Sequence, residues 1–269
     1  MAEQSLLINK HYAGQYIQGQ RNYQEDDFSF DNSQPEDFLM VVADGLGGHQ
    51  GGAYASRCAV QTFTKQYRTA LGSVAQRLQS ALKQTNQQLA VEAKDQPELL
   101  GMGCTLVGVA LQAGYLEWIS VGDSPLWLYD RTIRQLYRLN FDHSIKPILQ
   151  EQLQRGLLTL EEVESHPERN MLFSAVTGDS LSLIDQSPEP LQMRPGDCVL
   201  LASDGIFTLS EAEMSHILQK DLPAQELVQE LLQAVDNKKR SNQDNTTVLV
   251  VKLPKSDSSI CPDDLDNLD

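Results

Sequence analysis

Four aspartates stand at the ends of apolar stretches that are typical of buried strands. They are Asp44, Asp123, Asp204 and Asp244. One such residue indicates a turn, whereas four of them indicate that the strand ends meet at one edge of the fold, which we call the rim. Burying an unpaired carboxylate is costly. Carboxylates gathered at one rim repel each other, and a divalent cation held by oxygen ligands would neutralise them.

The types of donor narrow the choice of metal. The four cysteines are scattered without the spacing of zinc ligands, whereas carboxylates and water suit Mg²⁺ or Mn²⁺. Two such ions roughly 3.5–4 Å apart, bridged by one aspartate and a hydroxide, can drive in-line attack on phosphorus. Taken alone, Asp44 is equally compatible with a tight turn in which it caps the following helix.

The elements that must position these residues also have sequence signals. Residues 38–43 form an apolar run that predicts a strand buried on both faces, and glycines follow it. Helical periodicity covers 52–68 and 73–93. Further strands are predicted at 104–111, 115–121, 126–129, 133–139, 197–202 and 246–253, and further helices at 145–156, 159–165 and 210–235. Two strand sets separated by paired helices, without regular βα alternation, predict an α+β fold.

Length and charge restrict the organisation and the partners. Residues 1–253 are predicted to form one domain with an inserted flap at about 143–178, and the acidic residues 254–269 to form a disordered tail. The net charge of −16 argues against a nucleic-acid partner. Neither a membrane span nor a signal peptide is indicated, and the scattered cysteines favour the cytoplasm. Without a leftover apolar stripe, a monomer is expected.

Eight short motifs follow one another along the chain. They are Arg21-x-x-Gln24-Glu25-Asp26, Asp44-Gly45-Leu46-Gly47-Gly48-His49, Gly101-Met102-Gly103-Cys104-Thr105, Val121-Gly122-Asp123-Ser124, Asp142-His143-Ser144, His166-Pro167-x-Arg169-Asn170, Ser203-Asp204-Gly205 and Asp244-Asn245-Thr246-Thr247. Each is weak alone. In this order, over about residues 16–253, they resemble the metal-dependent serine/threonine phosphatases of the PPM (protein phosphatase 2C) family, in particular its bacterial branch.

The resemblance implies a fold and a set of metal ligands. The fold would be a sandwich of two antiparallel sheets flanked by pairs of antiparallel helices, with a flap beside the metal site. Asp44 would bridge two Mg²⁺ or Mn²⁺ ions, and the Gly45 carbonyl would bind one of them. Asp204 and Asp244 would bind the other ion. Asp123, together with Asp204, would match a third and looser metal site.

The motif at residues 21–26 is implied to act beside these ions. Asp26 would be catalytic and would contact a metal through water, with Glu25 in the surrounding shell. Arg21 would hold the substrate phosphate, for which its planar guanidinium is suited. Without the resemblance, the acidic residues here would be expected to form a solvated charge run.

Two positions depart from the family pattern. Leu46 stands where many animal members carry a histidine that is a candidate general acid, so a metal-bound water is expected to protonate the leaving oxygen. His49 lies three residues further on and is predicted to be a structural turn residue. Pro125 stands where the family usually has arginine.

The predicted activity is hydrolysis of phosphoserine and phosphothreonine in proteins, by direct attack of a hydroxide that bridges two ions. A catalytically inactive module of the same fold, which binds phosphoproteins or another partner, is the first alternative. The four retained aspartates favour the enzyme. A two-metal hydrolase of another ester is the second alternative. Ser203 is not in a nucleophile elbow, and no cysteine has the surroundings of a phosphatase thiolate.

Overall fold

The computed structural model describes residues 6, 8–34, 36–48 and 50–254. Among these residues the strands are β1 (Tyr12–Ile17), β2 (Asp26–Gln34), β3 (Asp37–Leu46), β4 (Gly103–Cys104), β5 (Leu106–Gln112), β6 (Tyr115–Val121), β7 (Leu126–Asp130), β8 (Gln135–Arg138), β9 (Asp185–Gln186), β10 (Leu191–Gln192), β11 (Cys198–Ala202) and β12 (Thr246–Lys252). The α-helices are α1 (Gln50–Thr69), α2 (Val74–Asp95), α3 (Lys146–Gln154), α4 (Leu160–Glu164), α5 (Glu211–Leu218) and α6 (Ala224–Asn237).

The strands form two antiparallel sheets. One has the order β1-β12-β11-β7-β8, and the other has the order β10-β6-β5-β3-β2 with β4 added to β3 and β9 added to β6. The turn at Ala113 and Gly114 joins β5 to β6, and both residues have positive φ, as a tight hairpin requires. The predicted α+β sandwich of antiparallel sheets is confirmed.

Strand β3 shows how the sequence pattern builds the layers. Phe38, Met40 and Val42 point into the core between the two sheets, while alternate residues such as Leu39 and Val41 pack against α1 and α2. Because successive side chains point to opposite faces, a strand that is apolar throughout must be covered on both sides. The structure confirms the predicted burial on both faces.

The helices cover the outer faces of the sandwich. Helices α1 and α2 share a core with the larger sheet, and α5 and α6 share one with the smaller sheet. A capping box at Ser73 starts α2, and the predicted box formed by Thr159 and Glu162 starts α4. Both boxes satisfy backbone N–H groups at the first turn. No described helix has the length and apolar character needed to cross a membrane.

Some elements differ from the sequence-based expectation. Strand β1 was not predicted, and β3 continues past Asp44 to Leu46 because Gly45 and Leu46 pair with β4. The helices predicted at 145–156 and 159–165, in the region predicted as a flap, are present as α3 and α4 with slightly shorter bounds. Of the predicted tail only Pro254 is described, and His49 also lies outside the described residues, so these two predictions remain expectations.

Candidate metal centre

Asp26 and Asp44 face each other across two neighbouring strands. Asp26 begins β2 and is the direct partner of Asp44 on β3, so their side chains lie on one face of the sheet. Asp26 is buried, and its Oδ2 accepts hydrogen bonds of 2.7 Å from Ser203 Oγ and 2.7 Å from Thr247 Oγ1. Those two hydroxyls belong to the other sheet, so Asp26 joins the sheets at the rim.

The backbone beside Asp44 is held closely. The Asp44 N–H donates to Thr105 Oγ1 at 3.1 Å, and the Asp44 carbonyl accepts from the Thr105 N–H at 2.8 Å. A Cβ atom added at Gly45 would lie 2.3 Å from the Gly52 carbonyl oxygen and 2.6 Å from that of Glu25. Position 45 therefore requires glycine, because any side chain would push the strand away from the start of α1.

The other predicted aspartates stand at the ends of strands. Asp123 lies two residues after β6, Asp204 two residues after β11, and Asp244 two residues before β12. We call Asp26, Asp44, Asp123, Asp204 and Asp244 the acidic rim. Glu25, which belongs to the same motif as Asp26, also lies beside Gly45: its carbonyl accepts a hydrogen bond of 3.0 Å from the Gly45 N–H.

Burial and repulsion by neighbouring carboxylates raise the pKa values of Asp26, Asp44 and Asp123. Burial raises the pKa of Asp26 to about 7, and the charges of Asp204 and Asp244 add to the effect of burial. Burial, followed by the charges of the other four rim aspartates, raises the pKa of Asp44 well above its ordinary value. Burial and Asp204 raise the pKa of Asp123 to about 6. The rim aspartates are thus close enough to interact electrostatically.

Arg21 and Lys146 form ion pairs with carboxylates of the acidic rim. Arg21 Nη2 donates to Asp244 Oδ2 at 2.6 Å, and both side chains are partly exposed. Lys146 Nζ donates to Asp123 Oδ2 at 2.6 Å and to Asp204 Oδ2 at 2.8 Å. Burial lowers the pKa of Lys146, but the two carboxylates outweigh this and raise it above the ordinary value. These two cations offset part of the negative charge of the rim.

The donors of the acidic rim are of the type that hard divalent ions prefer. Asp26 Oδ1 is buried and has no hydrogen-bond partner among the described residues, and the other rim donors are carboxylate oxygens, which Mg²⁺ and Mn²⁺ prefer. Among the described residues, no three His, Cys, Asp or Glu side chains are placed to hold one ion. Carboxylates such as Asp244 and Asp204 are turned instead toward Arg21 and Lys146. The metal-ligand set therefore remains a prediction.

Several residues that organise the site had not been predicted. Lys146 is the most important, and the hydroxyls of Ser203 and Thr247 act by holding Asp26. Asn245 fixes the segment that carries Arg21: its Nδ2 donates to the carbonyls of Gln18 and Tyr23 at 2.8 and 2.9 Å. The only sequence signal for these residues was their position inside or beside the motifs.

The histidine next to the rim has a structural role. His143 is buried, and its Nδ1 accepts a hydrogen bond of 3.2 Å from the Gly122 N–H. Burial lowers the pKa of His143, in keeping with a neutral ring that accepts at Nδ1. His143 therefore holds the turn that precedes Asp123.

Known proteins resemble this chain in sequence and in fold. The sequence model described as protein phosphatase 2C matches residues 13–249. The serine/threonine phosphatase stp of Listeria welshimeri is 30% identical over 86% of this chain and 91% of its own length. The crystal structure of the Mycobacterium tuberculosis serine/threonine phosphatase PstP/Ppp is 27% identical, has a TM-score of 0.74, and covers 90% of this chain and 98% of that one.

A further solved structure shares the fold. It is the catalytic domain of PstP in complex with two manganese ions, at 24% identity and a TM-score of 0.71, covering 90% of this chain and 97% of that one.

Proposed function

This chain belongs to the protein phosphatase 2C family, and we propose that it hydrolyses phosphoserine and phosphothreonine esters in proteins with two Mg²⁺ or Mn²⁺ ions at the acidic rim. Relatives over most of its length are named serine/threonine phosphatases, which supports the substrate class. The observation that carries the proposal is the gathering of carboxylates where the two sheets meet: Asp26 pairs with Asp44 and is hydrogen-bonded to the residues before Asp204 and after Thr246, and Asp123 and Asp204 share Lys146.

We assign the ligands as the motifs imply. Asp44 would contact both ions, the Gly45 carbonyl one of them, and Asp204 and Asp244 the other. The ions, when bound, would lower the pKa of water so that a hydroxide nucleophile exists at neutral pH, and they would offset charge on the phosphoryl oxygens. Asp26, held at Oδ2 by two hydroxyls, keeps Oδ1 available to accept a hydrogen bond from water.

Arg21 would orient the substrate phosphate. Its side chain is 52% exposed at the edge of the rim, and one guanidinium nitrogen donates to Asp244. The guanidinium has five N–H donors in a planar fork, so donors remain for two phosphate oxygens. Asp244 thus contacts the group that would hold the phosphate, and it would also be a ligand of one metal ion.

The test is hydrolysis of a phosphothreonine peptide with Mn²⁺, with and without excess EDTA, by the native protein and by Asp204→Asn. We expect turnover that requires metal and a loss of about 100-fold or more in kcat for the variant, the scale of removing one group that stabilises charge in the transition state. Asp221→Asn is the matched control, because Asp221 is exposed and pairs with Lys252 at the opposite end of β12 from Asp244.

Three outcomes would contradict parts of the proposed function. A near-normal rate for Asp204→Asn would remove Asp204 from the ligand set. No turnover by the folded, metal-loaded protein would refute the enzyme and leave a phosphoprotein-binding module. Faster hydrolysis of nucleotides than of phosphopeptides would move the substrate class to another phosphate ester.

The remaining parts of the proposal concern organisation and location. We propose a monomeric catalytic domain over residues 1–253, in which the segment at about 143–178 acts as a flap beside the rim. A cytoplasmic location is supported by the free thiols of Cys58, Cys104 and Cys198. Gel filtration with light scattering tests the oligomeric state.

A further inference from the structure

Lys146 is held between two carboxylates of the acidic rim. It is the first residue of α3, and its Nζ lies 2.6 Å from Asp123 Oδ2 and 2.8 Å from Asp204 Oδ2. The Phe207 ring covers the same ammonium, with its centroid 5.7 Å from Nζ. An ammonium has three donors, and the two carboxylates use two of them.

Both ends of this contact are fixed by other interactions. The Lys146 N–H donates to Ser144 Oγ at 3.2 Å, and Ser144 Oγ in turn donates to Asp142 Oδ1 at 2.5 Å. The Asp123 carbonyl accepts a hydrogen bond of 3.2 Å from Arg138 Nη2. Lys146 therefore differs from a surface lysine that swings freely, because the backbone at each partner is anchored.

We propose that Lys146 Nζ is the built-in cation of the Asp123–Asp204 pair, so that this chain holds two metal ions and takes no third ion there. This inference rests on the proposed metal-dependent function. It departs from the family resemblance, in which Asp123 and Asp204 would hold a third and looser ion. In this chain the side chain of Lys146 lies at that position.

A divalent metal ion and the Lys146 ammonium cannot both bind the Oδ2 atoms of Asp123 and Asp204. Mg²⁺–oxygen bonds are about 2.0–2.1 Å long, and Lys146 Nζ already lies within 2.8 Å of both Oδ2 atoms. A divalent ion on the same oxygens would be in contact with a like charge. A third ion would therefore require Lys146 to leave both carboxylates and the Phe207 ring.

The Lys146 ammonium binds Asp204 whether or not metal ions are present. Asp204 is the predicted ligand shared by the two sites, and its Oδ2 accepts from Lys146. The ammonium orients this carboxylate before any metal arrives, and it lowers the repulsion between Asp123 and Asp204. We class Lys146 as a positioning residue, because it acts through Asp204 and Asp123.

The experiment counts the Mn²⁺ ions bound per chain at saturation, by equilibrium dialysis with elemental analysis and by the electron paramagnetic resonance signal of free Mn²⁺. The proteins are the native chain, Lys146→Met, Lys146→Arg, and Lys146→Met combined with Asp123→Asn. We expect two ions for the native chain, three for Lys146→Met, two when the positive charge is restored in Lys146→Arg, and two for the double variant.

The control is Lys220→Met, because Lys220 pairs with Glu230 between α5 and α6 rather than at the rim, and it should bind two ions. Three ions in the native chain, or no third ion in Lys146→Met, would overturn the inference while turnover with Mn²⁺ still supports the phosphatase. No bound Mn²⁺ and no turnover in the native chain would overturn the proposed function and this inference with it. Thermal melting of each variant verifies that it is folded.

Discussion

Replacing Asp26 with asparagine should abolish turnover and yet stabilise the metal-free protein. Asp26 is only 6% exposed, and its pKa is raised from 3.8 to about 7, mainly by burial. A pKa change of that size corresponds to a cost of about 4 kcal/mol for the ionised form. Asparagine has no charge to bury, and its carbonyl oxygen can still accept from Ser203 and Thr247.

The stabilisation should depend on pH in a defined direction. Because the pKa of Asp26 is higher in the folded state than in the unfolded chain, the folded state binds more protons between pH 4 and 7. The free energy of unfolding of the native protein therefore falls, through Asp26, by about 1.4 kcal/mol per pH unit as pH rises through that range. The variant lacks this slope.

The assay is urea unfolding in excess EDTA at several pH values between 4 and 8. Between pH 4 and 8, the stability of Asp26→Asn relative to the native protein should rise by about 4 kcal/mol. Above pH 7 the variant should be more stable by about 2–4 kcal/mol, the lower value applying where the new amide group finds no acceptor and lowers the stability of the variant at every pH. Saturating Mn²⁺ should stabilise the native protein more than the variant.

Two results would refute this reasoning. If the variant were less stable than the native protein at pH 7.5 in EDTA, the hydrogen bonds to Asp26 would outweigh its buried charge. If the difference were independent of pH, Asp26 would not be the titrating group. Asp221→Asn is the control, because the Asp221 side chain is exposed and pairs with Lys252 away from the rim.

Three further changes should separate catalysis from stability. Asn245→Ala should raise KM for the phosphopeptide about tenfold and lower kcat less, because the segment that positions Arg21 loses its anchor; steady-state kinetics measures both. Asp37→Asn should lower the free energy of unfolding by about 3–5 kcal/mol, because a buried arginine such as Arg77 loses its partner, with kcat unchanged at a temperature where the variant is folded. Gly45→Ala should lower the free energy of unfolding by about 1–3 kcal/mol and reduce turnover, since its Cβ would lie 2.3 Å from a backbone oxygen; urea unfolding and the peptide assay check this.

Much of the fold could be predicted because the apolar pattern is local. The apolar run at 38–43 and the helical periodicity at 73–93 each indicate a buried face from a few neighbouring residues, and both predictions were confirmed. Strand β1 was missed because Tyr12–Ile17 contains glycine and glutamine and lacks a clear alternation. Its place is fixed by pairing with β12, which lies at the other end of the chain. No local sequence pattern indicates a pairing between such distant segments.

The acidic rim could be predicted only in part. Four of its aspartates have a shared local signal, namely a carboxylate at the end of an apolar strand, and Asp26 was reached through the family motif. Lys146 has no such signal, because its two partners lie 23 and 58 residues away in the chain. A lysine at the start of a helix is usually solvated. Only the folded arrangement distinguishes it from other lysines.

The hydrogen bonds from Ser203 and Thr247 to Asp26 have a mechanical consequence. They tie the start of β2 in one sheet to β12 and the end of β11 in the other sheet. Sliding of the layers by even a fraction of a bond length would therefore strain these bonds and displace Asp26 and Asp44 relative to Asp204 and Asp244, which stand at strand ends of the other sheet. The apolar layer between the sheets, which includes Met40, Val199 and Leu249, thereby sets the spacing of the reactive groups. A substitution that changes the volume of that layer should therefore also change the geometry of the rim.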